Sequence, residues 1–596
     1  MDILKRRETM GRNWSCVGKE VGRIGTRHQI PRSMKGNGLM RRGLSYLALA
    51  TMVWVVLLTG CGNLPLPGGK RVTITMIYGS EKEAWLVPLI EVFNSEGHET
   101  EAGATIIVEA TPMGSIVSGD RIVEGTLKPT VWSPASSAYV PVTNASWLQK
   151  HGEDLVVGTP NDLVLSPVVI AMWRPMAEAL GWPGESLGWA DIAALATSEG
   201  GWAGYGYPEW GSFKFGHTHP DFSNSGLISV IAEAYAAADK PRDLTLADLQ
   251  DPELKAFMAD VESSVIHYGE STGFFATRMF ERGPSYLSAA VMYENLIAAQ
   301  EAKRIRGESN QPPVVAIYPE EGTAWSNHPY IILNAPWVSD EQRGAAEIFE
   351  AYLLAEPQQR LSVTYGFRPS DPGLPLSTPL DLEHGVDPTE PKTVLEVPSA
   401  EVVVGVQELW RSEVKKPVDV VVVMDTSGSM EGKKISSARS SLVDFIDLMD
   451  DRDRLQVILF SDEMITLTEL SPLAEKRQEV RNRVSGVIEG GDTKLYSAVE
   501  FAYRELDAYG DPDHIRAIVV LTDGQDTASP ITLPELTARI GAQSESGDAT
   551  KIFTIAFGRA ADREILQQIA EITGGRQYDS DPETIGEIYA EIATFF

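Results

Sequence analysis

The sequence predicts an α/β protein with at least two folded domains. Its 596 residues exceed the ~250–300 residues over which a single hydrophobic core grows. Short apolar runs rich in β-branched residues alternate with longer segments of helical spacing, a pattern typical of mostly parallel sheets covered by helices. Several of these runs are followed directly by Asp, Ser, Thr and Gly. Because ligands of such sheets bind beyond the carboxyl ends of the strands, these loops hold the candidate functional residues.

The first domain is predicted over residues 71–415. Apolar residues alternate with threonine at the start of Arg71–Tyr78, which predicts a strand, and the apolar segment Trp85–Phe93 predicts the helix that follows it. Leu163–Met172 is a long apolar run typical of a buried strand. Further strands are predicted over Ala104–Ala110 and Val314–Tyr318, further helices over Ile228–Ala237 and Tyr293–Ala302, and a closing helix over Ala400–Ser412.

The second domain is predicted over residues 416–596. Asp419–Met424 is almost entirely valine and predicts a central strand that is buried on both faces. Apolar residues recur at helical spacing in Ile435–Met449 and in Leu495–Leu506. The remaining strands are predicted over Leu455–Phe460, Ile515–Leu521 and Lys551–Phe557. This alternation predicts a Rossmann-like, doubly wound sheet.

The net charge restricts the class of partner. The chain carries −32 at pH 7, and its first 60 residues hold eleven Lys and Arg against three Asp and Glu, so the remainder carries −40. A body this acidic repels phosphate backbones, which excludes nucleic acid as the expected partner. It also repels anionic membrane surfaces, so any membrane attachment must be covalent or inserted. Both cysteines, Cys16 and Cys61, lie near the N-terminus, so no disulfide framework is expected in the folded domains.

Residues 1–60 are predicted to be a signal peptide with a basic N-terminal extension. Arg41 and Arg42 precede an uncharged stretch whose apolar run ends in Leu58-Thr59-Gly60-Cys61, a small-residue cleavage site. This site resembles a bacterial lipobox, which implies that Cys61 is lipidated and that residues 61–70 form a tether. A transmembrane anchor is the alternative, because the stretch is just long enough to span a bilayer. Both interpretations place the folded domains outside the cytoplasm, at the cell surface or in the periplasm.

Three loops at predicted strand ends supply oxygen ligands for a metal ion. Asp425, Ser427 and Ser429 follow the central strand, Thr493 opens a helix after a Gly-rich loop, and Asp523 follows the strand Ile515–Leu521. Two carboxylates and three hydroxyls suit Mg²⁺ with some waters retained, and Mn²⁺ or Ca²⁺ are alternatives. Turn formation alone explains the first loop equally well. Agreement of three separate loops favours a metal site.

Residues 417–596 resemble a von Willebrand factor type A domain. Asp425-x-Ser427-x-Ser429, Thr493 and Asp523 match the metal-ion-dependent adhesion site of that family at every position. The resemblance implies that Ser427, Ser429 and Thr493 contact the metal directly, whereas Asp425 and Asp523 act mainly through water and hydrogen bonds. It also implies that a carboxylate from a partner protein completes the coordination.

The first domain contains a second polar group, Pro220-x-x-Ser223-Asn224-Ser225-Gly226, directly before an apolar helix. Hydroxyls and free N–H groups at a helix N-terminus can bind an anion, but ordinary capping by Ser223 or Asn224 explains the same residues equally well. The adjacent His217-x-His219-x-Asp221 does not predict a zinc site, because zinc needs three or four convergent ligands and the remaining histidines are scattered.

Residues 71–415 resemble two-lobed periplasmic solute-binding proteins near the molybdate- and sulfate-binding group. The segments that match are Gly79-Ser80, Trp132-Ser133-Pro134, Leu165-Ser166-Pro167, Pro220–Gly226 and Gly366-Phe367-Arg368-Pro369. The resemblance implies a cleft that takes a small solute, for example an oxyanion, or something larger. The cleft candidates are Ser115, Ser133, Thr218, Ser223, Asn224 and Ser225.

We therefore expect a bacterial surface lipoprotein that binds a partner protein through a Mg²⁺-dependent adhesion site and a small solute through the middle of the chain. The alternative is a solute receptor of an ABC-type transporter, with the A domain as a docking module. The sequence contains no Gly-x-x-x-x-Gly-Lys-Ser/Thr loop and no His-Glu-x-x-His. We accordingly do not expect an enzyme.

Overall fold

The computed structural model of the protein describes residues 70–269, 271–511, 513–541 and 550–595. The predicted signal peptide and Cys61 lie outside these ranges. Within them, no helix is both long enough and apolar enough to cross a bilayer. The described residues form three sheets covered by helices, which confirms the predicted α/β fold class.

The part of the chain before residue 415, which we call the middle domain, contains two of these sheets. Its strands and helices are β1 (Arg71–Tyr78), α1 (Glu83–Glu96), β2 (Thr105–Pro112), α2 (Ser115–Glu124), β3 (Val131–Ser133), α3 (Val140–His151), β4 (Asn161–Asp162), β5 (Val164–Trp173), α4 (Arg174–Ala179), α5 (Trp189–Ala196), α6 (Asn224–Ala237), α7 (Pro252–Glu262), α8 (Thr272–Arg282), β6 (Ala289–Tyr293), α9 (Glu294–Ile305), β7 (Val314–Ile317), β8 (Trp325–Ser326), β9 (Pro329–Ile332), α10 (Asp340–Leu353), α11 (Glu356–Thr364), β10 (Arg368–Pro369) and α12 (Ala400–Leu409).

Lobe 1 is built on the sheet with strand order β2-β1-β3-β9-β4. β1 runs parallel to β2 and β3, whereas β9 runs antiparallel to β3. Side chains alternate along β1, so Ile74 and Met76 pack with Trp85 of α1 on one face, while Ile77 packs with Trp132 on the other. Both faces are therefore covered, as a sheet with parallel central strands requires.

Lobe 2 is built around β5, which pairs in antiparallel fashion with β6, β7, β8 and β10. β5 is buried along almost its whole length, which explains its continuous apolar sequence. The chain returns from lobe 2 to lobe 1 through β9, whose strand pairs with β3. Two lobes connected in this way are the architecture that the sequence predicts.

The C-terminal domain contains one six-stranded sheet. Its elements are β11 (Val418–Asp425), α13 (Lys433–Leu448), β12 (Arg454–Phe460), β13 (Met464–Pro472), α14 (Leu473–Ser485), α15 (Leu495–Tyr509), β14 (Ile515–Thr522), α16 (Leu533–Gly541), β15 (Lys551–Phe557), α17 (Arg563–Ile572), β16 (Gln577–Ser580) and α18 (Ile585–Ala593). The strand order is β13-β12-β11-β14-β15-β16, and every pair except β12–β13 is parallel. This is the doubly wound order in which the strand sequence reverses next to β11.

The two domains share a continuous apolar core. One cluster of buried side chains extends from lobe 2 through Trp410 and Val414 to Val420 and Val422 of β11. The predicted closing helix ends at Leu409, and Trp410–Val414 forms a single π-helical turn. Arg452 holds this turn in place, since its guanidinium donates to the carbonyl oxygens of Arg411 and Lys415, each over 2.8 Å. The junction is thus a packed interface.

Candidate functional site

The predicted metal ligands of the C-terminal domain meet at the reversal point of its sheet. Asp425 is the last residue of β11, and Asp523 directly follows β14, its hydrogen-bonded neighbour. The carboxyl ends of two neighbouring parallel strands therefore bring both carboxylates to one edge of the sheet. Asp425 and Asp523 are fully buried, Ser427 is nearly so, and Ser429 is exposed.

A chain of hydrogen bonds joins four of the five predicted ligands. Ser429 donates to Asp523 over 2.6 Å, and the Ser427 and Ser429 hydroxyl oxygens lie 3.0 Å apart. Asp425 accepts from the backbone N–H of Ser427 over 2.8 Å and from the Thr522 hydroxyl over 2.5 Å. Each carboxylate is therefore oriented by a partner, and the serine oxygens lie between the two acids.

Thr493 reaches the same edge through a separate loop. The backbone N–H of Gly428 donates to the carbonyl oxygen of Gly491 over 3.0 Å. The backbone N–H of Gly490 donates to the carbonyl oxygen of Thr426 over 2.7 Å. Main-chain hydrogen bonds therefore hold the two loops together. A methyl group placed on Gly524 would lie 3.7 Å from the Thr493 hydroxyl oxygen and 3.9 Å from that of Ser429. The hydroxyls of Thr493 and Ser429 thus face the same small residue.

Lys434, at the start of α13, is a contact that sequence reasoning missed. Its ammonium group pairs with Asp523 and donates to the carbonyl oxygen of Ser429 over 3.2 Å. The lysine stands one helical turn beyond the Ser429 loop, but its side chain can extend in many directions, so no pattern in the sequence indicates this contact.

The electrostatics of the site fit a small dication. Burial raises the pKa of Asp425, and the charge of nearby Asp523 adds to this effect, against the hydrogen bonds from Thr522 and Ser427. Two adjacent buried carboxylates favour a cation between them. The candidate metal ligands are all oxygen atoms, which are the ligands that Mg²⁺ prefers. These residues therefore fit Mg²⁺, and Ser427, Ser429, Thr493, Asp425 and Asp523 are the ones that would hold it.

The six cleft candidates of the middle domain are all buried. Ser115 opens α2 and accepts from the backbone N–H of Ala135 over 2.9 Å. Ser133 ends β3, and its hydroxyl oxygen is buried without a hydrogen-bond partner. From lobe 2, Asn224 accepts from Ser136 of lobe 1 over 2.5 Å and donates to Tyr293 over 3.1 Å. The bond between Ser136 and Asn224 therefore joins the two lobes directly.

The polar group before α6 forms an internal network. The hydroxyl oxygen of Ser225 lies 2.7 Å from that of Thr218 and 2.7 Å from that of Thr272. Ser223 occupies the N-cap position of α6, yet its side chain makes no capping hydrogen bond. Capping by Ser223 or by Asn224, whose side chain bonds to Ser136 and Tyr293, is therefore not what the structure shows.

An ion-pair cluster that the sequence did not indicate lies beside these hydroxyls. The Lys82 ammonium, fully buried, lies 2.9 Å from Glu81 and 3.2 Å from Nδ1 of His328, and it donates to the carbonyl oxygen of Pro134 over 3.2 Å. Burial lowers the pKa of His328 to about 4. Burial alone would raise the pKa of Glu81, but Lys82 and His328 lower it to about 2. The cluster therefore adds one balanced ion pair and a neutral imidazole to the cleft.

The motif His217-x-His219-x-Asp221 does not converge on one point. The Asp221 carboxylate pairs with Arg411, with contacts of 2.6 and 2.9 Å. Nδ1 of His219 lies 3.2 Å from the backbone N–H of Asp221, whereas Nε2 of His217 faces Glu262 at 2.8 Å. The three side chains thus have different partners.

Comparison with family models assigns both domains. Residues 74–368 match the model described as bacterial extracellular solute-binding protein, and residues 419–591 match that of the von Willebrand factor type A domain. Both are families of binding domains. The chain therefore combines a solute-binding-like domain with a C-terminal von Willebrand factor type A domain.

Relatives match different shares of the chain. An uncharacterized protein of Mycobacterium tuberculosis H37Rv is 24% identical over 514 residues, which cover 79% of this chain and 68% of its own. Human inter-alpha-trypsin inhibitor heavy chain H4 is 29% identical over 189 residues, covering 30% of this chain and 20% of its own.

Two solved structures that match parts of the chain are a periplasmic binding protein and a von Willebrand factor type A protein. The periplasmic binding protein AfuA of Actinobacillus pleuropneumoniae, solved with fructose-6-phosphate, covers 57% of this chain and 98% of its own at 11% identity and a TM-score of 0.40. A von Willebrand factor type A protein from Catenulispora acidiphila covers 30% of this chain and 42% of its own at 22% identity and a TM-score of 0.28.

Proposed function

We propose, on the premise that the chain joins a solute-binding-like domain to a von Willebrand factor type A domain, that it is an extracytoplasmic receptor anchored through Cys61. Its A domain binds a protein partner through Mg²⁺, and its middle domain binds a small polar solute. The observation that supports the first activity is the meeting of Asp425, Ser427, Ser429, Thr493 and Asp523 at one sheet edge.

The ligand set favours an acidic partner. Two carboxylates and three neutral hydroxyls do not saturate the charge or the coordination of a dication. A carboxylate side chain of the partner supplies both, and the exposed Ser429 leaves the metal accessible from solvent. Specificity then depends on the surface around the metal.

The cleft supports a neutral or weakly charged solute. Its hydroxyl and amide groups are numerous, and its Lys82–Glu81 pair is balanced. The unpartnered hydroxyl of Ser133 and the unpartnered Nε2 of His328 are free to bond with a ligand when the lobes separate. A buried polar atom without a partner is costly, so a solute that satisfies both atoms gains affinity from them.

The two activities are tested separately by thermal shift of the full-length chain. Mg²⁺ is expected to raise the unfolding temperature, and Asp425→Ala should abolish this shift while leaving any shift produced by sugars or oxyanions. Asp492→Ala is the matched control, because it removes an exposed carboxylate next to Thr493 and should retain the Mg²⁺ shift. Loss of the shift in both variants would point to general loop damage and would contradict the assigned ligand set.

The proposal that a partner carboxylate fills an open coordination position of the metal is tested with Mn²⁺ in place of Mg²⁺. Waters bound to Mn²⁺ enhance proton relaxation, and propionate should reduce that enhancement by displacing water from the metal. An enhancement that does not change at saturating propionate would contradict carboxylate capture.

A further inference from the structure

Three buried side chains in lobe 2 converge outside both sites described above. His217 lies before α6, Glu233 lies on α6, and Glu262 ends α7. One potential ligand atom from each lies within 4.8 Å of the other two. Among the described residues, no other group of His, Cys, Asp and Glu has this spacing.

The imidazole of His217 is held in one orientation. Its Nδ1 lies 2.7 Å from the carbonyl oxygen of Thr218, so Nδ1 carries a proton and donates it to that oxygen. Its Nε2 faces the carboxylate of Glu262 at 2.8 Å. Backbone anchoring of one ring nitrogen is the arrangement that directs the other nitrogen at a metal ion.

Glu262 is oriented by two donors. The Tyr268 hydroxyl donates to one carboxylate oxygen over 2.8 Å, and the indole N–H of Trp410 donates to the other over 2.9 Å. The rings of Tyr268 and Trp410 also pack around His217, with centroids 5.1 and 6.4 Å from the imidazole.

One carboxylate oxygen of Glu233 lacks a hydrogen-bond partner. One of its carboxylate oxygens accepts from the Ser229 hydroxyl over 3.0 Å. The other, Oε2, is buried and has no hydrogen-bond partner. A fully buried carboxylate with a free oxygen is strongly destabilising unless a cation or a proton satisfies it.

We propose that His217, Glu233 and Glu262 form a structural site for a divalent transition-metal ion, with zinc as the first candidate. One imidazole nitrogen and two carboxylate oxygens are ligands that zinc accepts at ~2.0–2.2 Å, which separates tetrahedral ligands by ~3.4 Å. In the structure, Nε2 of His217 lies 2.8 Å from Glu262, and all three ligand atoms lie within 4.8 Å of one another. Thr218, Tyr268, Trp410 and Ser229 hydrogen-bond to the three side chains and orient them.

The site joins segments that meet only in the folded chain. It fixes α6 to α7, and through Trp410 it also fixes the turn that enters the A domain. Because all three side chains are buried, the ion binds as the chain folds and contributes to the stability of the junction.

The test is the metal content of the full-length chain in an Asp425→Ala background, which removes the A-domain site from the measurement. After growth with added zinc and gel filtration, plasma mass spectrometry should find about one zinc ion per chain. Glu233→Gln should lose this ion and lower the unfolding temperature. Glu301→Gln is the control, since Glu301 is another fully buried glutamate of lobe 2, bonded to Arg304 and the N–H of Val314, and it should retain the zinc.

The sign of the stability change makes the test decisive. Without a metal, a neutral amide at position 233 relieves the unpartnered oxygen, so Glu233→Gln would be as stable as the parent or more stable. That result, together with a zinc content far below one ion per chain, would overturn the proposal. If Glu233→Gln does not fold, Tyr268→Phe keeps all three ligands and should weaken zinc binding at least tenfold (~10–100-fold); unchanged affinity would likewise count against the site.

Discussion

At the scale of single residues, Asp523 is the carboxylate for which Lys434 and the proposed Mg²⁺ would compete. The Lys434 ammonium pairs with this carboxylate, so a dication that binds the Asp425 and Asp523 pair must displace it or share it. If Mg²⁺ binds as proposed, the lysine lowers its affinity without being a ligand itself.

Lys434→Met should tighten Mg²⁺ binding. The ion pair is partly exposed and contributes on the order of 1 kcal/mol, so the dissociation constant should fall about fivefold. Isothermal titration calorimetry measures the change. Lys433→Met is the control, because Lys433 pairs with Glu583 on the surface and its loss should leave the constant nearly unchanged. Weaker binding by Lys434→Met would show that the lysine supports the site.

Buried histidines, among them His328 and His267, should make the free energy of unfolding depend on pH. Burial lowers the pKa of His328 to about 4 and that of His267 to about 3. Both lie below the ~6.5 of an unfolded histidine, so the unfolded chain takes up protons first. The stabilisation is complete above pH ~6.5 and is lost as the pH falls towards 4, at about 3 kcal/mol for His328.

Urea denaturation between pH 7 and pH 4.5 tests this dependence. His328→Asn should reduce the loss of stability in this range, because asparagine tolerates the positive φ of 41° at this position and does not titrate. His151→Asn, at an exposed position, should leave the slope as it is. Equal slopes in all three proteins would mean that His328 is charged in the folded state.

The position of helix α6 depends on a close approach at Gly226. A methyl group there would overlap the carbonyl oxygen of Thr218, so the first turn of the helix packs directly on the backbone of the preceding segment. This contact positions Asn224 for its bond to Ser136 of lobe 1. One glycine therefore determines the geometry of the whole polar group.

Gly226→Ala should lower the free energy of unfolding by about 2 kcal/mol or more, because the overlap is with backbone that cannot move aside. It should also remove any solute-induced thermal shift. Gly273→Ala on α8, where an added methyl group meets no atom within 4 Å, should be neutral or stabilising by ~0.5–1 kcal/mol. Thermal denaturation measures both. Equal stabilities of the two variants would contradict the close packing at Gly226.

The boundaries of several buried strands followed the sequence. β1 and β15 coincide with the predicted strands, and β11 differs from its prediction by one residue at each end. β13 was not predicted, because it is a largely exposed edge strand with an irregular burial pattern that gives no period-two signal. Helix α6 begins four residues before the predicted start, since its first turn is polar and lies in the lobe contact.

The continuous apolar core should make the two domains unfold together. All 13 tryptophans precede residue 411. Tryptophan fluorescence therefore reports on unfolding of the middle domain, and the A domain contributes no tryptophan signal. The Trp410 turn and the backbone bond from Tyr268 to Phe595, over 3.2 Å, transmit the stability of one domain to the other.

Mg²⁺ should therefore raise the unfolding temperature that tryptophan fluorescence records, although the proposed ligands contain no tryptophan. At ~100 times the dissociation constant the stabilisation is about 2.7 kcal/mol. Asp425→Ala should abolish the shift, and calorimetry should show a single transition for the parent chain. A Mg²⁺ shift visible by calorimetry but absent from fluorescence would show that the domains unfold independently.

The sequence by itself determined the α/β class, most of the main strands and the five residues that meet at the A-domain sheet edge. It could do so because buried strands need apolar runs and because parallel topology brings their carboxyl ends to one edge. Whether those residues hold Mg²⁺ stays a prediction.

Only the tertiary structure decided which side chains face one another across long stretches of chain. The contacts of Lys434 with Asp523, of Lys82 with His328, and of His217 with Glu262 join residues on separate elements. Each depends on how helices pack and where flexible side chains extend. Such contacts do not recur at a regular spacing along the sequence, so no pattern of residue types indicates them. The same packing joins the two predicted domains in one hydrophobic core.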